Sequence, residues 1–373
     1  MKNDDLLIEI DGAEVPELYD DLIGLEIELD DQLTGMFRMK IGLLLDTDGD
    51  WTYLDDPRFS LWRKVVITAG VEDDSPQLIS GYITHVRPEF GVGLEQCVLE
   101  VWGMDAGVLL DRADQLRAWP NKRDSDIATE LFRTYGLTPQ VTDTAVVHDE
   151  QLSTIIQRET DMQLLRRLAR RNGFECWIDG GNGYFGPSGL TGDPQPVLAV
   201  QFGEETTVST FRLEANALTP AAVVAYQHDH LSGDLIEVTT EASSESPLGA
   251  QPAATVTAGP GDGARVVVAQ TATTGAAEMA TLTQGLYDDG SWFVTGEGDV
   301  IANEYGAVLK PRAVVTVKGI GATHSGFYYV THVTHRFTPD GYQQHFKVKR
   351  NALTALGTEP FVADDGNPLA GLL

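Results

Sequence analysis

The stretch TDMQLLRRLARRNGFECWIDG, residues 160–180, places Arg166, Arg167, Arg170 and Arg171 within six positions of a chain whose formal net charge is -30. Guanidinium groups bind carboxylates and phosphates bidentately, so a row of them has three uses: ion pairing within the chain, contact with an acidic neighbour, or contact with DNA. At helical spacing Arg166 and Arg170 lie four apart, as do Arg167 and Arg171, which gives two basic rows flanking a stripe of Met162, Leu165, Leu168 and Ala169. These four arginines are the candidate interface residues. With 56 acidic against 26 basic residues, 18 of the latter arginine, a general nucleic-acid surface is disfavoured, and DNA is expected at most as a passing substrate.

Other reactive residues lack the company that chemistry needs. Glu159 with Asp161 or Glu175 could form a carboxylate pair, but no sugar-shaped aromatic context accompanies them. DTDGDW (Asp46 to Trp51) opens like a calcium loop, yet Trp51 stands at the required glycine position and Pro57 at the twelfth, so a tight acidic turn is expected. His228 and His230 share a strand face without carboxylates beside them, and His332 and His335, three apart on a strand, face opposite sides. Cys97 and Cys176 sit in apolar runs as core thiols. No catalytic residue, cofactor site or metal site is assigned, because no nucleophile elbow, zinc motif, phosphate loop or dinucleotide fingerprint occurs.

The elements that position these residues fall into three blocks. LLIEIDG, GLEIELDDQ, MFRMKIGLLL, KVVITAG, LISGYITHVRPEF and CVLEVWGMD read as short strands, forming a β-barrel-like domain over residues 1–108. Residues 109–192 form a helix-containing domain. SDIATELFRTYG has an apolar face of Ile127, Ala128, Leu131, Phe132 and Tyr135, with Asp124 or Ser125 as cap and Gly136 as stop. In the arginine helix Thr160 and Gln163 form a capping box, and Gly173 ends it. Residues 193–355 return to strands with one helix, AAEMATLTQGLYDD, and a Ser, Pro, Gly and Ala loop over 243–264. Residues 356–373 read as a tail. The fold class expected is mainly β with a smaller α/β part: two antiparallel barrel-like domains flanking a helical one. No window is long and apolar enough for a membrane span, and the N-terminus shows no secretion signal.

In order, LISGYITHVRP, VLEVWGMDAGVLLDR, WPNKRDSDIATELFRTYGL and IIQRETDMQLLRRLARRNGFECWI resemble the phage late-control protein D family. These are baseplate hub proteins of contractile tails, similar to the hub part of VgrG in type VI secretion. LKPRAVVTVKGIGATHSGFYYVTHVTHRFTPDGYQQHFKVKRN resembles the family's closing barrel, with its final strand ending in Arg-Asn. The resemblance implies a homotrimer whose paired β domains adapt a sixfold tail tube to a threefold spike, in a virion tail or injection-system baseplate made in the host cytoplasm. It implies as partners a tail tube or tube-initiator protein, baseplate wedge proteins and a spike. VgrG-like chains continue into a long spike, whereas this one stops about 20 residues after KRNAL, so a separate spike protein is expected. No hydrolytic activity is expected. The alternatives are a cell-wall-degrading tail enzyme or a glycan-binding tail module using Trp51, Trp62, Trp119 or Trp292, which core packing explains more simply.

Overall fold

Alternation of apolar and polar residues dominates both ends of the chain, and a computed structural model resolves it into one large sheet. The structure describes residues 6–70, 75–229, 232–260, 263–268 and 272–361. Thirteen strands share that sheet: β1 (Leu6–Ile10), β2 (Ala13–Glu14), β3 (Leu22–Asp30), β4 (Met36–Gly42), β5 (Lys64–Ala69), β6 (Gln77–Glu89), β7 (Val98–Asp105), β8 (Gln195–Ala199), β9 (Val208–Ala215), β10 (Val294–Ile301), β11 (Val314–Lys318), β12 (Gly326–Thr338) and β13 (Gly341–Arg350). Their order is β9-β10-β13-β12-β3-β4-β7-β6-β5-β1-β2, with β11 beside the start of β12 and β8 beside β11. The fold is therefore mainly β, as its alternation requires.

The two β-rich ends meet in an antiparallel seam, with His332 opposite Asp30 and Phe337 opposite Leu25. Strand β12 is 13 residues long; its first half pairs with β11 and its second with β3, and a register shift between Val330 and His332 separates the two. Three main apolar clusters lie behind this framework. Ile8, Ile27, Phe37, Met39 and Val101 belong to the first, Leu131, Phe132, Leu165 and Leu168 to the second, and Val315, Tyr328, Val330 and Phe346 to the third.

Helices α1 (Asp124–Thr134), α2 (Asp161–Arg171) and α3 (Ala276–Gly290) supply the non-β layer. At the start of α1 the cap differs from expectation: Asp124 is already helical and buried, and Asp126 accepts the Arg123 N–H at 3.0 Å instead. Residues 243–264 also differ. Leu248 is buried with its N–H on Asn351 Oδ1 at 2.9 Å, Gln251–Pro252 pairs with Ala352–Leu353, and Ala253–Val256 is a helical turn, so polar composition concealed a segment docked by long-range bonds. Residues 261–262 of that segment, His230 and residues 362–373 of the tail lie outside the described residues.

The Arg-Asn ending of β13 is a structural device. Arg350 is fully buried and donates to the carbonyls of Leu248, His324 and Thr354 at 3.1, 2.9 and 3.1 Å, so one guanidinium ties three loop carbonyls to the end of β13.

Candidate functional site

Helix α2 carries the N-cap half of the expected capping box, the expected buried stripe and the glycine stop. Thr160 Oγ1 accepts the Gln163 N–H at 3.2 Å, Met162, Leu164, Leu165, Leu168 and Ala169 are buried, and Gly173 takes a φ of 65° just past the end. Its four arginines then diverge. Arg166 reaches the connection between β3 and β4, where Nη2 donates to Thr34 Oγ1 at 2.9 Å, while its buried Nε has no hydrogen-bond partner. Arg167 stays local, with Nε on Glu159 Oε1 at 2.7 Å and Nη2 on the Ile156 carbonyl. Arg170 is exposed. Arg171 turns inward, its side chain 11% exposed, to contact Glu278 and to approach Asp124 Oδ2 at 3.8 Å.

Arg171 belongs to a buried polar cluster that joins the middle block to α3. His148 Nε2 lies 2.7 Å from Asp124 Oδ1, and its Nδ1 lies 3.5 Å from Glu278 Oε2. Asn172 Nδ2 donates to Asp124 Oδ2 at 2.7 Å, and Glu278 also accepts the Thr274 N–H at 2.6 Å. Burial pushes the Arg171 guanidinium below its ordinary range, against the pull of Asp124. Backbones meet beside the cluster: a Cβ on Gly285 would lie 2.8 Å from Gly173 N and 3.1 Å from Arg170 O, so only glycine lets α3 cross the end of α2 this closely. The charge pattern of α2 foretold pairing, but not that one arginine would be drawn inside.

Between α2, α3 and β13 lies a cleft of about 480 Å³, lined by Arg166, Arg170, Asp31, Glu245, Trp292 and Lys349 among others. Lys349 Nζ sits 3.5 Å from Asp31 Oδ2 and 4.6 Å from the centre of the Trp292 ring. Burial raises the Asp31 carboxyl to about 6 despite Lys349, and burial together with the Asp288 carboxylate raises Glu245 to about 7. Glu175 is held by the Tyr329 hydroxyl at 2.7 Å and by Ser188 Oγ at 3.0 Å. The other carboxylates read as a possible pair are also engaged: Glu159 with Arg167, and Asp161 with the Tyr135 hydroxyl at 2.7 Å and Gln157 Nε2 at 2.7 Å.

The remaining candidates fall where packing places them. Asp46 Oδ1 accepts the N–H groups of Asp48 and Asp50, which is the tight acidic turn. Among the described residues no cluster of His, Cys, Asp or Glu is arranged to hold a metal. His335 is buried, bonded to the Tyr342 hydroxyl at 2.8 Å and lowered by burial to about 3, whereas His332 is on the other face beside Asp30 at 3.1 Å. Both cysteines are buried, and burial raises the Cys176 thiol to about 12. Trp119 is buried with Nε1 on Gln157 Oε1 at 3.0 Å, while Trp62 remains 43% exposed.

The polar face of the large sheet carries the pattern that no local motif announced. Register aligns Arg212, Glu297, Lys347, His332 and Asp30 in one row across five strands. A second row runs Arg336, Glu26, Arg38, and a third Lys40, Glu100, Arg87. Arg336 meets Glu26 at 2.7 Å and Arg38 meets Glu100 at 2.5 Å. Burial pushes the Glu100 carboxyl up, but the Arg38 guanidinium outweighs it and leaves it below the usual range. A chain with a two-to-one acidic excess thus presents one broad face on which charges of both signs interleave. Because partners in such rows sit on different strands, often far apart in sequence, composition and motifs do not reveal the face.

This architecture is the fold of phage tail and type VI secretion proteins. A tail protein from Neisseria meningitidis MC58 superposes with a TM-score of 0.67 at 15% identity, covering 93% of this chain and 96% of that one. The 43 kDa tail protein of prophage MuSo2 from Shewanella oneidensis gives 0.65 at 14%, covering 94% and 99%. The E. coli c3393 protein, a component of the type VI secretion system, gives 0.53 at 13%, covering 92% and 76%. The chain belongs to the family described as the Alg8 N-terminal domain, whose model matches residues 5–339. That description names neither late-control protein D nor VgrG. No curated protein matches the sequence. Among the described residues no helix is long and apolar enough to cross a membrane.

Proposed function

We propose that this protein is a structural baseplate hub of a contractile tail or phage-like injection system, in which three copies form a ring between a sixfold tube and a threefold spike. The observation that carries the reading is the single sheet through which two curled β units are fused side by side by the β3–β12 seam. Three such chains offer six β units around an axis, which is the arithmetic that a sixfold-to-threefold adaptor requires. The order of late-control-protein-like motifs supports it, as does the likeness to c3393, which is itself described as structurally similar to the T4 tail proteins gp27 and gp5. The interleaved polar face suits the wall of a passage, since a surface without a strong field of either sign does not retain charged cargo or DNA.

On this reading the chain is not an enzyme, and a separate spike, the tube or its initiator and wedge proteins are its partners. The exposed Arg170, with Arg167 beside it on its surface pair with Glu159, is placed to meet an acidic neighbour, whereas Arg171 is committed inside the chain. A reconstruction of the native particle tests the proposal. Three copies between tube and spike are expected; any other copy number or position sinks it, and clearing of peptidoglycan by the purified chain would replace a structural role with a hydrolytic one.

A further inference from the structure

The two ends of the large sheet are finished differently. At one end β1 is sealed: the Tyr19 hydroxyl accepts the Ile8 N–H at 3.0 Å, Val15 N returns to Ile8 O at 3.3 Å, and two-residue β2 covers Glu9 and Ile10. At the other end β9, with the sequence VSTFRLEA, pairs along its length with β10, and among the described residues its other edge is met only at its start, where Val208 bridges Val200. A register shift between Val208 and Thr210 disturbs only its start, and from Thr210 to Ala215 it has no proline, no lysine and no inward charge to blunt the edge.

The open groups on this edge can be identified. Asn216 N donates to Phe293 O at 2.7 Å, so that pair is hydrogen-bonded. Antiparallel ladders alternate, so Ala215, Leu213 and Phe211, opposite Val294, Gly296 and Gly298, aim their N–H and C=O groups away from β10. Phe211 and Leu213 pack half-buried against the third apolar cluster, while Arg212 and Glu214 are exposed on the polar face.

We propose that the edge strand β9 binds a second copy of itself, antiparallel and centred on Leu213, so that in the free protein two chains join their sheets about a twofold axis. In this register Leu213 faces Leu213, Phe211 faces Ala215, and every opposed pair of outward-facing residues can exchange both main-chain bonds. On the other face Arg212 of each copy lies opposite Glu214 of its partner, which gives two reciprocal ion pairs. Sliding by two residues, the smallest shift that keeps outward groups opposed, sets Arg212 against Arg212 in one direction and Glu214 against Glu214 in the other, so like charges meet. Polar side chains remain on the polar face and apolar ones on the core face, and Ala215 is small enough to leave room over its partner's Phe211. An isologous contact of this kind is self-complementary, unlike the heterologous contacts of a threefold ring, so it concerns the chain before assembly and stands independently of the hub reading.

Charge reversal with rescue tests it on the full-length chain. Sedimentation equilibrium is expected to show a concentration-dependent dimer of the wild type. Arg212→Glu alone and Glu214→Arg alone each place like charges opposite one another twice and weaken the dimer by about tenfold or more, and the double reversal restores it. Ala215→Pro, which deletes an outward N–H that β10 does not use, weakens it irrespective of charge. Circular dichroism melts confirm that each variant is folded. A wild type that stays monomeric at every concentration, or a dimer or trimer indifferent to the single reversals, overturns the proposal, as does failure of the double reversal to restore the wild-type constant.

Discussion

Charge is handled in two opposite ways in this molecule. On the polar face of the sheet, Arg336 and Glu26 form a 2.7 Å pair with side chains 55% and 27% exposed, in water and in a row of alternating signs. In the buried cluster, Arg171, His148, Asp124 and Glu278 are all at most 11% exposed and close a joint between α2 and α3. The first arrangement shapes a surface field at little cost to either state. The second removes charges from water, so each partner depends on the others remaining in place. An arginine's position along one helix decides which regime it enters: Arg167 lies in the first and Arg171, four residues on, in the second.

Removing the buried cation gives the sharpest contrast. Arg171→Ala strands Asp124 and Glu278 without their guanidinium, and the chain is expected to lose about 3 to 5 kcal/mol, read as a lowered melting temperature. Arg167→Ala, which breaks an exposed pair with Glu159, is expected to cost only about 0 to 1 kcal/mol in the same measurement. A melt unchanged by Arg171→Ala would erase the distinction between the two regions. Leu165→Ala and Leu168→Ala, at fully buried positions of the same helix, are expected to cost about 2 to 5 kcal/mol each by leaving cavities. If those melts are unaltered, the stripe does not bury α2.

The cleft between these regions gives an effect of pH. Folding raises Asp31 from 3.8 to about 6 and Glu245 from 4.5 to about 7, so between the two values of each group the folded chain holds a proton that the unfolded chain releases. Their contribution is intact in acid and declines as pH rises from about 4 through 6 and 7. Asp31→Asn and Glu245→Gln should flatten that decline, measured as stability against pH beside the wild type; curves that stay parallel would show that the cleft carboxyls do not titrate in this range. The smallest effect belongs to the sheet face. Arg336→Ala is expected to change stability by only about 0 to 1 kcal/mol in denaturant titrations, and a loss as large as that of Arg171→Ala would mean the face is an energetic element after all.

What could be read from the sequence follows the range of the interaction. Strands such as Ala222–His228 and helices such as α2 announce themselves because alternation, capping by Thr160 and the stop at Gly173 act within a few residues. The short strands Gln115–Trp119 and Ile155–Glu159 leave no local signature, because they are half exposed and owe their pairing to one another across the whole of α1. Asp124 looked like a cap because caps are local; its partners His148 and Asn172 are 24 and 48 residues away. The charge rows and the role of Arg350 depend on register between remote strands, which no window of sequence contains.

The seam between β3 and β12 also sets a timetable. His332 and Asp30, opposed there, are 302 residues apart. At the usual 5 to 20 residues per second of synthesis, β3 leaves the ribosome roughly 15 to 60 seconds before the strand that will cover it exists. During that interval the first β unit can gather Phe37 and Ile27 into a core that still lacks Val308 and Phe337, and it carries an open flank that any other nascent copy could occupy. Joining the two units through one ladder makes a rigid adaptor, and it also makes the yield of that adaptor sensitive to translation rate and to how closely ribosomes follow one another on the message.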